Sequence, residues 1–435
     1  MSTEELILYK DFGREHLFYD FARLIENCKT GVQKEMADLY YKCIHELVEL
    51  SENHGFSGNL WHIFLAYLLV NNENAYSRAC EIHGAAGGTI DQIALHDFAV
   101  FKKLFDFDFK ILEEAVGVSG TEFVTDYTAA GSGASGRKLY NSRIRDRICE
   151  LARHLENAED TKAFRQAVTE FYRDFGVGKL GLHKAFRVEN TGEGAIIIPV
   201  TNIAHVKLDD LVGYEIAKQK LIDNTEAFVS GRQANNCLLF GDAGTGKSTS
   251  IKAIANQYYT RGLRMIEIYK HQFQDLHAVI AQIKNRNYKF IIYMDDLSFE
   301  DFEVEYKYLK AVIEGGLEKK PENVLIYATS NRRHLVREKF SDKAQLEDDL
   351  HNNDTVQEKL SLASRFGVQI YFGAPDQKEF QKIVKALAKQ NGINMEEKEL
   401  LAKANRWELG HGGRSGRTAQ QFIDYLLGKG NGRDM

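Results

Sequence analysis

The chain has 435 residues, 44% apolar and 27% charged, a balance that excludes wholesale disorder and leaves room for about three domains. Its 56 basic and 62 acidic residues give a net charge of −6, which excludes a chain dominated by phosphate-backbone contacts though not a local basic patch. Only three prolines occur, against a usual share of about 5%, and all three (Pro199, Pro321 and Pro375) lie in the second part of the chain.

A long proline-free stretch rich in Leu, Phe, Glu and Lys favours helices, because helix interiors exclude proline. Residues from about 12 to 170 read accordingly. Leu17, Phe18, Phe21, Leu24 and Ile25 recur at three- and four-residue spacing, and Tyr40, Ile44, Leu47 and Val48 repeat the pattern. Trp61–Val70 is apolar on every face, which predicts the buried central helix of a bundle. The aromatic series Phe12, Phe18 and Phe21, and Phe101, Phe105, Phe107 and Phe109, reads as core. A Gly/Ser-rich loop is expected at Thr128–Gly136, then helices near 138–157 and 160–174. Arg137, Lys138, Arg143, Arg145 and Arg147 form a basic cluster there. It reads as a solvated face, since Asp126, Asp146 and Glu150 are close by; a nucleic-acid grip is the alternative.

At Val177 the texture changes. Leu182–Glu189 and Ala195–Val200, separated by a Gly-rich turn, predict a β-hairpin that starts the second domain or joins it to the first. Short apolar runs follow at Cys237–Phe240, Arg264–Ile268, Phe290–Met294, Val324–Ala328 and Val368–Phe372, separated by helical stretches. This alternation predicts a parallel sheet with helices on both faces. The last sixty or so residues return to helix at Asp376–Gln390, near 396–405 and at Ser415–Leu427. The expected organisation is a helical domain over 1–176, a hairpin linker over 177–204, an α/β core over 205–374 and a helical lid over 375–435.

The five cysteines (Cys28, Cys43, Cys80, Cys149, Cys237) are scattered and form no C-x-x-C, which argues against a disulfide framework or a zinc site. No H-x-x-x-H with an acidic partner marks a further metal site. The first residues are acidic with no apolar signal core, and Trp61–Val70 is too short to span a bilayer, so a soluble cytoplasmic protein is expected.

The strongest chemical signal is Gly241-Asp242-Ala243-Gly244-Thr245-Gly246-Lys247-Ser248, which fits G-x-x-x-x-G-K-[ST] between a predicted strand and a helix opening at Thr249. Glycines let the backbone curl so that its N–H groups meet phosphate oxygens, and the helix N-terminus adds partial positive charge. Lys247 would reach the β- and γ-phosphates, and the Ser248 hydroxyl would ligate Mg²⁺. Asp295 and Asp296 end an apolar strand at the carboxyl edge of the sheet, where ligands bind. Asp295 would hold Mg²⁺ through water, and Asp296 would orient or deprotonate the attacking water. Asn331, at the tip of the next strand, can touch both the γ-phosphate and that water. Arg365 reads either as a group that stabilises transition-state charge on a nucleotide bound by a neighbouring subunit or as one half of a surface salt bridge. Arg414 and Arg417 open the last helix, where either can swing onto the γ-phosphate and both can equally be solvated. No Asn-Lys-x-Asp guanine signal occurs, which favours ATP.

These pieces in this order resemble the AAA+ superfamily of P-loop ATPases over residues 205–428, about half of the chain. The resemblance implies a three-layer P-loop NTPase with a parallel sheet, a small C-terminal helical lid and, here, an all-helical N-terminal domain. Gly241–Ser248 is similar to its Walker A loop and Asp295-Asp296 to Walker B. Asn331 resembles sensor 1, Arg365 the arginine finger and Arg417 sensor 2, with Arg414 the second choice. Asp209–Tyr214 resembles the segment near the adenine. Ser364–Gly367 resembles the finger region of the initiator and helicase-loader branch. With Ala234-Asn235-Asn236 and Ser330–Leu335, the chain looks like a bacterial family of functionally uncharacterised AAA+ ATP-binding proteins. The implied activity is Mg²⁺-dependent ATP hydrolysis by a homo-oligomer, driving or switching remodelling of a macromolecular partner met through the N-terminal domain. A nucleotide-switched DNA-binding module and a P-loop phosphotransferase are the alternatives.

Two departures bear on this. Walker B usually ends Asp-Glu; Asp296 is one methylene shorter, leaving its carboxylate about 1.5 Å short, so hydrolysis is slow or Glu300 assists. Tyr269–Phe273 also lacks the aromatic-apolar-glycine pore loop of protein-threading members, which speaks against an unfoldase.

Overall fold

The computed structural model describes residues 3–12, 15–28, 33–130, 142–192, 194–201, 203–299, 305–314, 321–331 and 362–429. The chain forms two compact units that divide between His183 and Lys184.

The first unit is helical among its described residues. Its centre is α3 (Leu60–Asn71, after α1 at Glu15–Asn27 and α2 at Gln33–His54), in which ten residues from Leu60 to Val70 are buried. Asn59 starts α3 by accepting the His62 N–H, which satisfies one of the donors that a helix start leaves open. The Trp61 indole donates to the Leu104 carbonyl at 2.9 Å, tying α3 to the end of α5 (Thr89–Phe105, after α4 at Ala75–His83). The expected aromatic core is present. Phe18, Phe21, Phe98 and Phe101 are fully buried, and the Phe21 and Trp61 rings stack 4.3 Å apart. One anchor had no sequence signature. The carboxylate of Asp97, fully buried on α5, accepts the successive backbone N–H groups of Ile7, Leu8 and Tyr9 at 2.7–3.2 Å. Helices over Ser142–Glu156 and Thr161–Phe175 form near the expected positions, while residues 131–136 of the Gly/Ser-rich loop lie outside the described residues.

The second unit holds a seven-stranded sheet in the order β2-β1-β4-β5-β6-β3-β7. Its strands are β1 (Ala185–Asn190), β2 (Ala195–Pro199), β3 (Cys237–Gly241), β4 (Leu263–Glu267), β5 (Lys289–Met294), β6 (Val324–Ser330) and β7 (Val368–Phe372). All pairings are parallel except the β1–β2 hairpin. Of the two expectations for the hairpin, the start of the second domain or a linker over 177–204, the structure gives the first. β1 pairs with β4, so the hairpin is the edge of the sheet itself. Leu182, read as strand, ends a short helix (Gly178–Leu182) and is buried in the core of the first unit, so the seam falls at 183/184.

The helix over Glu215–Val229 and the helix over Lys247–Tyr258 pack on one sheet face, against Leu239, Ile291, Tyr293 and Tyr327. Leu238, Ile266, Phe290 and Ile292 point to the opposite face by strand alternation and are fully buried as well, so the sheet is covered on both sides. Three helices (Gln377–Gln390, Glu397–Gly410 and Gly416–Gly428) pack around Phe380, Val384, Phe422 and Ile423 as a C-terminal lid. A mostly parallel sheet between helical layers, with β3 between β6 and β7 and a helical lid after it, is the arrangement that the AAA+ resemblance implies.

Candidate active site

β3 leaves the sheet where its two neighbours come from different parts of the chain, the switch point at which open α/β sheets bind ligands. At its end Gly241 (φ +135°) crosses so close to β7 that a Cβ would collide with the Phe372 backbone. Gly246 (φ +93°) precedes the helix Lys247–Tyr258, and Leu211 packs where its Cβ would stand. Between them Asp242, Ala243, Gly244 and Thr245 form the loop, closed by a bond from the Thr245 hydroxyl to the Asp242 carbonyl at 2.8 Å. Ser248 and Thr249 follow in the first helical turn and line the cleft. The cleft measures about 480 Å³ and runs from this loop between the core and the lid.

Of the expected catalytic residues, Asp296 and Asn331 meet Lys247 at the loop end of the cleft. The Lys247 ammonium donates to the carbonyls of Gly241 (3.0 Å) and Asp242 (2.6 Å) and to Asn331 Oδ1 (3.0 Å). The Asn331 amide nitrogen in turn donates to Asp296 Oδ1 at 2.8 Å. Asn331 thus bridges the loop lysine and the second aspartate. The Ser248 hydroxyl donates to Asp295 Oδ1 at 2.7 Å, and the same oxygen accepts from Thr329 Oγ1 at 2.6 Å. Burial is the main reason that Lys247 is held below the ordinary lysine range; Arg417 adds to it, while the carboxylates of Asp242, Asp296 and Asp295 oppose it. For Asp295, burial raises the carboxyl, but the hydrogen bonds from Thr329 and Ser248 outweigh it and the group lies below its usual range.

The remaining residues are placed as follows. Arg417 lines the cleft from the lid, and its backbone N–H donates to Gly244 O at 3.1 Å. Arg414 is held by Glu408, 3.0 Å away within the lid, so the choice between the two arginines falls on Arg417. Arg365 is not among the cleft-lining residues; its Nε donates to Glu314 Oε1 at 2.6 Å. Glu300, the alternative base, lies outside the described residues, as do Arg332–Leu335 and, in the basic cluster, Arg137 and Lys138. Of that cluster, Arg145 pairs with Asp146, and the Arg147 guanidinium lies 4.2 Å from the Phe175 ring centre. Among the described residues, no group of three or more His, Cys, Asp or Glu could hold a metal ion, and no helix is long and apolar enough to cross a membrane.

Sequence reasoning missed four contributors. Thr329 holds Asp295; its position at the end of β6, two residues before Asn331 in the direction of strand alternation, was the available signal. Ile383, Leu387 and Gln420 line the cleft from the lid together with Leu211, Val212 and Tyr214, and only the fold brings them there. The Tyr214 hydroxyl donates to Gly373 O at 2.8 Å, and Asp242 Oδ2 accepts from Ala374 N at 2.8 Å, so loop and lid junction are tied directly.

The donor set suits a nucleoside triphosphate with a hard cation. The loop lysine is turned onto carbonyls beside glycines that admit a close anion, and a hydroxyl sits against a carboxylate, the oxygen ligands that Mg²⁺ takes alongside phosphates. Among solved structures, the RuvB Holliday junction branch migration motor of Thermotoga maritima is similar over 52% of this chain and 67% of its own, with 18% identity and a TM-score of 0.37. The FIGL-1 AAA domain in complex with ADP is similar over 52% and 74%, with 17% identity and a TM-score of 0.36. No curated protein matches the chain in sequence. Residues 181–430 match the family described as "Protein of unknown function (DUF815)", and the chain belongs to that family.

Proposed function

We propose that the chain binds Mg²⁺·ATP in this cleft and hydrolyses it. The observation that carries the reading is the pair of linked contacts at one end of the cleft, Lys247–Asn331–Asp296 and Ser248–Asp295–Thr329. When bound, Mg²⁺ neutralises charge on the β- and γ-phosphates and polarises the bond that breaks. The loop N–H groups and Lys247 hold the phosphates; Ser248 and Asp295 hold the metal. Asp296 takes the proton of the attacking water, and Asn331 keeps that carboxylate oriented. Arg417 brings the lid's positive charge to the phosphates. Arg365 acts on the cleft of a neighbouring subunit, the role that its resemblance to the arginine finger implies. The working form is then a homo-oligomer, in which turnover drives or switches remodelling of a macromolecular partner engaged by the helical unit.

Asp296→Asn is the test. ATP affinity should persist while turnover stops, and undiminished turnover would exclude Asp296 as the base. For the neighbour's role, mixing Arg365→Ala with Lys247→Ala chains should restore part of the activity that each lacks alone. Absence of recovery would exclude action of Arg365 in trans.

A further inference from the structure

Among the described residues other than glycine, Asp296 and Tyr214 alone have a left-handed backbone, Asp296 at φ +50°. Side chains rarely adopt this region, and aspartate tolerates it better than most because its short carboxylate can bond locally. Thr329 is what faces it. The Thr329 hydroxyl, on the last turn of buried β6, accepts the Asp296 N–H at 2.9 Å and donates to Asp295 Oδ1 at 2.6 Å. Its carbonyl accepts the Leu297 N–H at 2.7 Å. One residue, 2% exposed, therefore grips three consecutive residues of the carboxylate turn. A threonine hydroxyl has one proton and two lone pairs, and this one spends the proton on a carboxylate and a lone pair on an amide. Asn331, two residues further on, then fixes the end of the Asp296 side chain.

We propose that Thr329 is a positioning residue for the hydrolysis assigned above, on which this inference rests. Its hydroxyl sets the Asp295 carboxylate for the metal and holds the left-handed backbone of Asp296. That turn aims a carboxylate one methylene shorter than glutamate into the cleft, so a short side chain serves where the backbone has been re-aimed. Asp296 is thereby matched to Thr329 rather than being a weakened substitute for glutamate.

The test compares the native chain with Thr329→Val, which keeps the shape and loses the hydroxyl, and Thr329→Ser, which keeps the hydroxyl. Crystal structures without ligand report the Asp296 φ angle; electron paramagnetic resonance reports Mn²⁺ affinity in the ATP complex; steady-state kinetics separates kcat from KM. Thr329→Val should move Asp296 out of the left-handed region. Outer-shell partners of metal ligands are worth about 10–100-fold, so Mn²⁺ affinity and kcat should each fall by at least about tenfold. ATP affinity without metal should stay within about twofold, because no contact between Thr329 and the phosphate loop is involved. Thr329→Ser should stay within about threefold of native in every measurement. An unchanged φ in the valine variant, native kcat and Mn²⁺ affinity there, or a serine variant as impaired as valine overturns the proposal. Should the native chain bind ATP without turning it over, the hydrolysis reading fails by itself, and the φ angle and Mn²⁺ affinity still decide the role of Thr329.

Discussion

Replacing Asn331 by alanine probes the link between the two halves of the site. The side chain makes two hydrogen bonds to charged partners, accepting from Lys247 at 3.0 Å and donating to Asp296 at 2.8 Å. Each bond of that kind contributes about 1.5–3 kcal/mol. Lys247 keeps its contacts with the Gly241 and Asp242 carbonyls, so the loss at the lysine is shared and ATP affinity should change by no more than about threefold. Asp296 loses a side-chain anchor, and its carboxylate is exposed and free to rotate away from the water. If the anchor persists into the transition state, kcat falls by about 10–150-fold, which is 1.5–3 kcal/mol at 1.36 kcal/mol per decade. A coupled ATPase assay gives kcat, and fluorescence titration with an ATP analogue gives affinity. A kcat within about threefold of native, or equal losses in kcat and affinity, would refute the reasoning.

Two further outcomes follow from the structure. Asp97→Ala leaves the N–H groups of Ile7, Leu8 and Tyr9 without their carboxylate acceptor, and should destabilise the helical unit by about 3 kcal/mol or more; chemical denaturation followed by Trp61 fluorescence checks this, and a loss below about 1 kcal/mol contradicts it. Asp295 has its carboxyl depressed in the folded state, so it contributes stability that is full above the unfolded value and is lost as pH falls through the folded value. Asp295→Asn should therefore flatten the acid side of the stability profile, and superimposable profiles for the two chains would contradict the hydrogen-bond cause assigned to it.

Much of the second unit is legible in sequence because its signals are local. A phosphate loop needs its glycines, lysine and serine within eight consecutive positions, and each buried strand is a short apolar run with a chemical group at its tip. Cys237–Gly241, Lys289–Met294 and Val324–Ser330 form close to where those runs lie. What escapes is pairing over distance. The hairpin at 185–199 reads equally as a linker or as the start of the second domain, because nothing in it names β4 as a partner. Asp97 reads as one more acidic residue on a helix until the chain's first turn folds onto it. Arg365 reads as a finger or as one half of a surface salt bridge, but nothing in the sequence names Glu314, at the end of the helix over Glu305–Glu314, as its partner. Arg147 likewise finds Phe175 on the next helix, which removes it from the basic cluster that its spacing suggests. Thr329 lies between these cases. Its strand face was deducible, but its two bonds required the left-handed turn at Asp296.

The measurement that bears most directly on the account is Mg²⁺·ATP binding to the native chain and to Lys247→Ala by isothermal titration calorimetry. The account predicts saturable binding to the native chain, and affinity at least about 100-fold weaker once the loop ammonium is gone. Equal affinity in the two chains, or no binding to either, would contradict the assignment of this cleft to ATP.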